Sequence, residues 1–545
     1  MTTPNPNTLL LPKPQHVAAG DGAFRLTRTT TLVAASSELL APLGLFAGRL
    51  RTGTGIALPS PVVGGEAPGG VLAEVDPDHP AFVGITPSRG VVPSGEDHGT
   101  ERHVLEVSPE GIRVTGASPA GVHRGLTTLA ALAESAPAEA GAVELSAVHV
   151  TDGPALAWRG LSLDVVRTVF SADEVRRVID LLDRYKFNVL HLHLTDDQGW
   201  RLETPSRPAL TANAEPGTFF TRSQYADLVA YAAARFITVV PEIDMPGHSR
   251  VAIAACHGLS DGEVAPAPAS LEELLAQVHD GSFAPVWLDP ERAEVRSFVR
   301  DVLADLAAVT PGRYLHIGGD EAFGMPAEAH AAFVTYARGV VRKLGKEPVG
   351  WQETVRAEGG PGELVQFWID DNMPLDPENP FLAALPPVLV AQLTETFAEA
   401  AGDADRLRAS RARVIVSRTG NAYLDRPYAE VARDAEAESR RQRLGLPTYP
   451  PVTLEDAYTA PIPGIDTDEG YEVVGFEAAV WCETVTDIDD LTFLLLPRLP
   501  GMAERAWTPG SGQNWPEYRR RLAAQAPAWR RHGLMWFPAP SVDWH

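Results

Sequence analysis

"RGLSLDVVRTVFSADEVRRVIDLLDRYKFNVLHLHL", residues 159–194, decides the fold. Its first part, "RGLSLDVV", is a short apolar run with the look of a strand. "SADEVRRVIDLLDRYK" then repeats its apolar residues at helical spacing, with Ser171 placed as the N-cap. "FNVLHLHL" returns to a strand pattern. Outward from this unit the same rhythm continues through "FITVVPEI", "YLHIGG", "EPVGW", "LVQFW", "RVIVS" and "GFEAAVW". Helical stretches lie between many of them, at 222–235, 291–308 and 326–344. "EPVGW" and "LVQFW" are the weakest strand signals, and eight strands are what a closed β/α barrel needs. The class is α/β, and a (β/α)8 barrel over 155–510 is the expected architecture. No repeat of solenoid period interrupts it.

Upstream, residues 1–150 carry short strand-like pieces such as "RHVLEVSPEGIRVTG" and a helix-patterned "GVHRGLTTLAALAES", punctuated by Pro, Gly and Ser. They read as a small α+β domain preceding the barrel. Residues 511–545 read as a C-terminal helical tail packed on the barrel. The segment 433–464, before the last strand, is long and Pro-rich at its end. Long loops at the C-terminal face of a barrel usually shape a substrate site.

The composition is that of a globular protein, 44% hydrophobic and 21% charged over 545 residues. A formal charge of −25 disfavours nucleic acid and anionic membranes as partners. Cys256 and Cys482 make neither a disulfide framework nor a zinc cluster, although one bridge between them is possible. The N-terminal "MTTPNPNTLLLPKPQ" lacks a basic n-region and a long apolar run, and no run is long enough to span a membrane. The expectation is a cytoplasmic protein; its oligomeric state is left open.

A barrel places its chemistry at the C-terminal ends of its strands. Those positions hold Asp164 and Arg167, Thr195 to Asp197 and Trp200, then Glu242, Asp244 and His248. Asp320 and Glu321 follow, then Trp351 and Glu353, Trp368, Tyr423 and Asp425, and Trp481 and Glu483. Acids with tryptophans suit a sugar: carboxylates grip hydroxyls and move protons, and indoles cover the C–H face of the ring. Plainer readings exist for each residue. A strand-end acid can cap the next helix, a single Trp can be core, and the alternating His191 and His193 read as packing. His316 reads the same way, whereas His248, in a loop after Pro246-Gly247, can reach an acid on a neighbouring strand. A metal centre is not expected. There is no HExxH, and the His and Asp residues are too scattered along the chain to suggest a compact cluster.

"RGLSLDVVR", "HLTDDQGWRLE", "PEIDMPGHS", "HIGGDE", "GWQE", "QFW", "YLD" and "GFEAAVWCE" occur together. Over about 155–510 the chain resembles glycoside hydrolase family 20, the β-N-acetylhexosaminidases, and the first 150 residues resemble that family's preceding α+β domain. The resemblance implies an exo-acting, retaining enzyme that removes terminal GlcNAc or GalNAc by substrate-assisted catalysis. It implies Glu321 as general acid/base, Asp320 as the group that orients the 2-acetamido substituent, and Tyr423 as the hydroxyl on the acetamido oxygen. Trp351, Trp368 and Trp481 would wall the acetamido pocket. Arg167, Asp425 and Glu483 would hold sugar hydroxyls, and Asp196 and His248 would support the acid. It implies no metal or organic cofactor, and a small oligosaccharide or glycoconjugate as the partner. Two departures stand out. The first strand is followed by Arg167-Thr168-Val169-Phe170, where the family usually has Arg-His-Phe. Tyr449, in "LGLPTYPPV", stands where the family's long loop usually brings another Trp. The alternatives are a non-catalytic sugar-binding barrel and a β-glucosidase without an acetamido requirement.

Overall fold

The computed structural model describes residues 9–95, 100–139, 141–261, 264–268, 272–273, 276–277, 284–369, 387–512 and 514–544. Residues 1–8, where the N-terminal reading above begins, lie outside them. Among the described residues no helix is long and apolar enough to cross a membrane.

Residues 16–152 build one eight-stranded, mostly antiparallel sheet. The "RHVLEVSPEGIRVTG" segment forms its central hairpin, His103–Ser108 against Gly111–Gly116. Two helices, Leu40–Thr54 and Pro119–Ser135, bury Leu43, Phe46, Leu50, Leu126 and Leu129 on a core with Leu105, Val114 and Val150. The second helix starts where Ser118 Oγ accepts the Ala120 and Gly121 amides and Pro119 follows. It is buried nearly all round, because its other face carries His123 and Arg124 onto the barrel.

All eight segments read as barrel strands pair in parallel into a closed barrel. They are β1 Trp158–Asp164, β2 Val189–His193, β3 Thr238–Glu242, β4 Tyr314–His316, β5 Glu347–Trp351, β6 Leu364–Phe367, β7 Arg413–Val416 and β8 Glu472–Val480. Ser171 does cap the helix Ala172–Arg184, in a reciprocal box with Glu174. Inside the barrel the strands sort their side chains by height. Towards the N-terminal end Trp158, Val189, Val240, Tyr314, Val349, Leu364, Ile415 and Val474 form an apolar plug, one residue from each strand. Above the plug the interior turns polar, with His191, Glu242, His316, Gln366 and Glu477 all buried.

The tail is helical in two short pieces, Trp515–Ala523 and Ala526–Arg531, and it packs on both domains. Trp529 Nε1 donates to Tyr185 Oη at 2.7 Å on the barrel, and His532 Nε2 lies 2.9 Å from Glu134 Oε1 on the small domain. Cys256 and Cys482 are both free and buried.

Candidate active site

β4 is only three residues long, and the sequence after it explains why. Gly318 and Gly319 take φ of +68° and +107°, which favour glycine. A Cβ on Gly318 would lie 1.6 Å from Asp244 Oδ1, and one on Gly319 would lie 2.4 Å from Thr354 Cγ2. The chain therefore turns tightly over Asp244, whose Oδ1 accepts the Gly319 amide at 3.1 Å. Asp320 and Glu321 leave this turn side by side. Asp320 is 8% exposed, while the Glu321 side chain is 29% exposed, so one acid faces inward and the other the opening. Glu321 also has φ of +46° and His248 +48°, conformations that cost a non-glycine residue on the order of 1–3 kcal/mol and cluster at functional sites.

His248 connects the two strand ends. Its Nδ1 lies 3.2 Å from Asp196 Oδ1, and its Nε2 lies 3.7 Å from Asp320 Oδ2 and 3.6 Å from Glu321 Oε2. Burial opposes its charge, but Asp196 and Asp244 hold its pKa well above the usual histidine range. Asp196 also forms an ion pair with Arg167 Nη2 at 2.7 Å and contacts His193 Nε2 at 3.0 Å. Burial opposes its ionisation, yet Arg167 and His248 keep it well below the usual carboxylate range. Arg167 sits 5.4 Å over the Trp481 ring and 4.0 Å from Glu483.

The aromatic residues cluster near Asp320, whose charge acts on Tyr423 and on Glu353. Trp368 and Tyr423 stack with centroids 6.4 Å apart at 10°. Trp351 and Trp481 are 5.9 Å apart, and Tyr423 is 6.3 Å from Trp481. The indoles are pinned from behind: Trp351 Nε1 donates to Glu242 Oε1 at 2.6 Å, and Trp368 Nε1 to Glu353 Oε2 at 3.1 Å. Tyr423 bridges to Ala479 on β8.

The acids around this cluster are short of cations. Burial, Asp244 and Glu321 push Asp320 well above its usual range against the pull of His248, and its Oδ1 has no partner among the described residues. Burial and Glu483 push Asp425 to about 8, and burial and Asp164 push Glu483 to about 7 against Arg167. Neither Asp425 carboxylate oxygen takes a hydrogen bond of good geometry among the described residues.

The structure thus gathers Arg167, Asp196, His248, Asp320, Glu321, Trp351, Trp368, Tyr423, Asp425, Trp481 and Glu483 at one end of the barrel. Tyr449 joins them, edge-on to Tyr423 at 5.9 Å and 88°, on a loop tied back where Leu446 N donates to the Asp425 carbonyl. Three expectations change. His191, His193 and His316 are not apolar packing but members of a buried network on Glu242. Asp244 and Glu242, noted only as strand-end acids, prove central. The His and Asp residues are not scattered in space: His191–Glu242–His316, His193–Asp196–Asp244 and Asp244–His248–Asp320 each bring three potential ligand atoms within 4.8 Å. Spacing along the chain misled because neighbouring parallel strands bring distant residues to one height. In the first group the donors already face one another or Trp351, so the geometry serves hydrogen bonding within the protein.

A family model described as "Glycosyl hydrolase family 20, catalytic domain" matches residues 156–326 and 324–510, and "Glycosyl hydrolase family 20, domain 2" matches 7–153. The chain is 38% identical over 99% of its length to a β-N-acetylhexosaminidase of Cellulomonas fimi, covering 98% of that protein. Among solved structures, the β-N-acetylhexosaminidase of Streptomyces coelicolor A3(2) aligns over all of both chains with a TM-score of 0.78 at 31% identity. The N-acetyl-β-hexosaminidase of Streptomyces plicatus aligns over all of this chain and 99% of its own, at 0.79 and 33%.

Proposed function

The chain belongs to glycosyl hydrolase family 20, as a β-N-acetylhexosaminidase, and on that premise we propose that it removes terminal β-linked GlcNAc or GalNAc with retention, using the substrate's own acetamido group as nucleophile. One observation carries this reading: two adjacent acids leave a single turn, one open to the leaving-group side and one buried against an aromatic pocket. An ordinary retaining glycosidase holds its two carboxyls about 5–5.5 Å apart across the scissile bond, and family 20 is a recognised exception that relies on the substrate. Neighbours on one turn cannot easily straddle a sugar ring, but they can serve two groups of the same substrate.

In this reading Trp351, Trp368 and Trp481 confine the acetamido methyl and press its carbonyl oxygen towards C1. The Tyr423 hydroxyl donates to that oxygen. As the oxygen attacks C1 and the oxazolinium ring forms, positive charge grows on the acetamido nitrogen. Asp320 faces that nitrogen. Among its protein neighbours its carboxylate lacks a sufficient counter-ion, so the arriving cation is what it favours, and stabilisation grows as the reaction proceeds. Glu321 gives its proton to the departing oxygen and then takes one from the incoming water. Arg167, Asp425 and Glu483 hold the ring hydroxyls, and Asp196 orients His248 behind the acid.

The test is a series of aryl glycosides whose N-acyl group carries none to three fluorines. If the acyl oxygen is the nucleophile, kcat/KM falls steeply with each fluorine, the first product is the β-anomer, and a thiazoline analogue inhibits far more tightly than GlcNAc. A flat dependence on fluorination would overturn the reading and return the nucleophile to a protein carboxylate.

A further inference from the structure

Glu242, the last residue of β3, is fully buried, and both of its oxygens are occupied by protein groups. Oε1 accepts the Trp351 indole N–H at 2.6 Å and lies 2.9 Å from His316 Nδ1. Oε2 lies 2.6 Å from His193 Nδ1 and 3.1 Å from His191 Nε2. His193 and His191 each have a second carboxyl group on the other nitrogen: His193 Nε2 meets Asp196 at 3.0 Å, and His191 Nδ1 meets Glu477 at 2.8 Å. An ionised carboxylate only accepts, so a ring held between two of them must donate from both nitrogens. Burial opposes charge on both rings, but Glu242 leads the groups that raise His191 to about 9 and His193 well above the usual range, and an alternating chain of acids and imidazoles runs Glu477, His191, Glu242, His193, Asp196. It ends at Arg167 and His248.

We propose that Glu242 is a positioning residue for the reaction, one carboxylate that fixes the Trp351 wall of the acetamido pocket and, through His193 and Asp196, the His248 ring behind Glu321. The inference rests on the acetamido-pocket reading above. It adds a coupling between the two halves of the site: the wall that aims the nucleophile and the support of the acid share an anchor. Glu242 touches no substrate, so its effect passes through Trp351 and His193.

The second branch has a signature in pH. His193 is faced by Glu242 from β3, Asp164 from the end of β1, Asp196 and Asp244 from the adjoining loops, and Arg167, which stands 3.5 Å from its Nε2. Burial opposes its charge, and Glu242 leads the groups that hold its pKa well above the ordinary range. Removing the Glu242 charge lets the His193 proton leave at lower pH. Asp196 then loses its buried cation, and the support of His248 changes with it.

The experiment compares Glu242→Gln, Trp351→Phe and His193→Gln in the full chain, each first checked for folding by near-UV circular dichroism. For Glu242→Gln we expect kcat/KM to fall by roughly 10²-fold, the loss that small misplacements of reacting groups produce. The alkaline limb of its kcat/KM profile should move to lower pH, and thiazoline should bind more weakly. Trp351→Phe should reproduce the weaker thiazoline binding without the pH shift, and His193→Gln the change in pH profile with little effect on thiazoline. Should Glu242→Gln fail to fold, this split between the other two variants still tests the two branches. A folded Glu242→Gln whose loss is uniform across pH, or single-branch variants that each move both readouts, would overturn the proposal. If thiazoline does not inhibit the wild type, the substrate-assisted reading fails, and the pH arm alone decides whether Glu242 supports the acid.

Discussion

Glu101 and Glu353 are both buried carboxylates of one chain, at opposite ends of the barrel, and they are treated in opposite ways. Glu101, where the small domain meets the foot of the barrel, accepts Arg124 Nε at 2.7 Å and Arg159 Nη2 at 2.6 and 2.8 Å. Burial opposes its ionisation, yet the two arginines hold its pKa below the usual value. Around it Glu134 pairs with Arg49 and Arg184, and His123 and Arg124 draw Asp183 down to about 2 against its burial. At the other end Glu353 has one oxygen on Trp368 and the other without a partner among the described residues. Burial and Asp320 push it to about 8 despite Arg356. The interface acids are matched to cations inside the protein, which fixes how the domains dock. Glu353, Asp320, Asp425 and Glu483 are left under-matched, and that imbalance costs the fold stability.

Breaking the two clusters should therefore separate activity from stability. Glu321→Gln should lower kcat by about 10²–10⁴-fold on substrates with poor leaving groups, and by less on aryl leaving groups that depart without protonation. Its melting temperature should stay near that of the wild type. An equal loss for good and poor leaving groups would remove Glu321 from the role of acid. Glu101→Gln should do the reverse. It leaves Arg124 and Arg159 buried beside a neutral amide, and breaking a buried pair costs about 3–5 kcal/mol. Urea denaturation should show that loss, while kcat of the folded fraction stays unchanged. A large drop in kcat would mean that the small domain reaches the chemistry.

The contrast also has a sign in pH. Glu353 titrates near 4.5 when unfolded and about 8 in the folded chain. Between those values the unfolded chain has released a proton that the folded chain keeps, so this acid's contribution to stability falls as pH rises. Glu353→Gln should match the wild type near pH 4 and exceed it at pH 8 by about 1–3 kcal/mol, the scale of one unsatisfied buried group. The interface acids run the other way. Their folded pKa values lie below the unfolded ones, so their stabilisation is present at neutral pH and is lost as pH falls through the folded values, near 2 for Asp183. Denaturation curves for Glu353→Gln and wild type that stay parallel from pH 4 to 8 would contradict the assignment.

The same two regions show what the sequence could disclose. Strand segments and strand-end acids are local patterns, so all eight strands and the residues gathered at the site were legible. Partnerships across the barrel were not. His191 and Glu242 are 51 residues apart and meet only because β2 and β3 pair in register, with His191 opposite Val240 and His193 opposite Glu242. In "HLHL" the alternation correctly separates two faces, but it cannot say that the histidine face looks into a polar barrel interior. The helix Pro119–Ser135 hid its function in the same way. Its apolar spacing shows a helix but not what covers its polar residues, and His123 and Arg124 are buried because the barrel covers them. The need for the twin glycines was hidden too, because the Asp244 carboxylate beneath them follows a different strand.

The smallest effect should come from Tyr449, which joins Tyr423 as a neutral polar group among the site acids. Its loop is fixed where Gly445 N donates to Thr484 Oγ1, next to Glu483, at 2.9 Å and Leu446 N to the Asp425 carbonyl at 2.8 Å. Its ring stands edge-on to Tyr423. Burial, then Asp425, Glu321 and Glu483, oppose ionisation of its phenol, so the hydroxyl keeps its proton throughout the working pH range. A neutral donor there steadies acids that lack cations without neutralising them, and it can pass its hydrogen bond to a sugar hydroxyl. Tyr449→Phe removes that donor and keeps the ring contact. One hydrogen bond is worth about 0.5–1.5 kcal/mol, so KM should rise a few-fold with kcat nearly constant and no change in melting temperature. Steady-state kinetics on GlcNAc and GalNAc glycosides would measure it. Unchanged kinetics would reduce Tyr449 to a packing partner of Tyr423. A fall in kcat comparable to that of Glu321→Gln would place its hydroxyl in proton transfer, and the division of labour between the open acid and its neighbours would have to be redrawn.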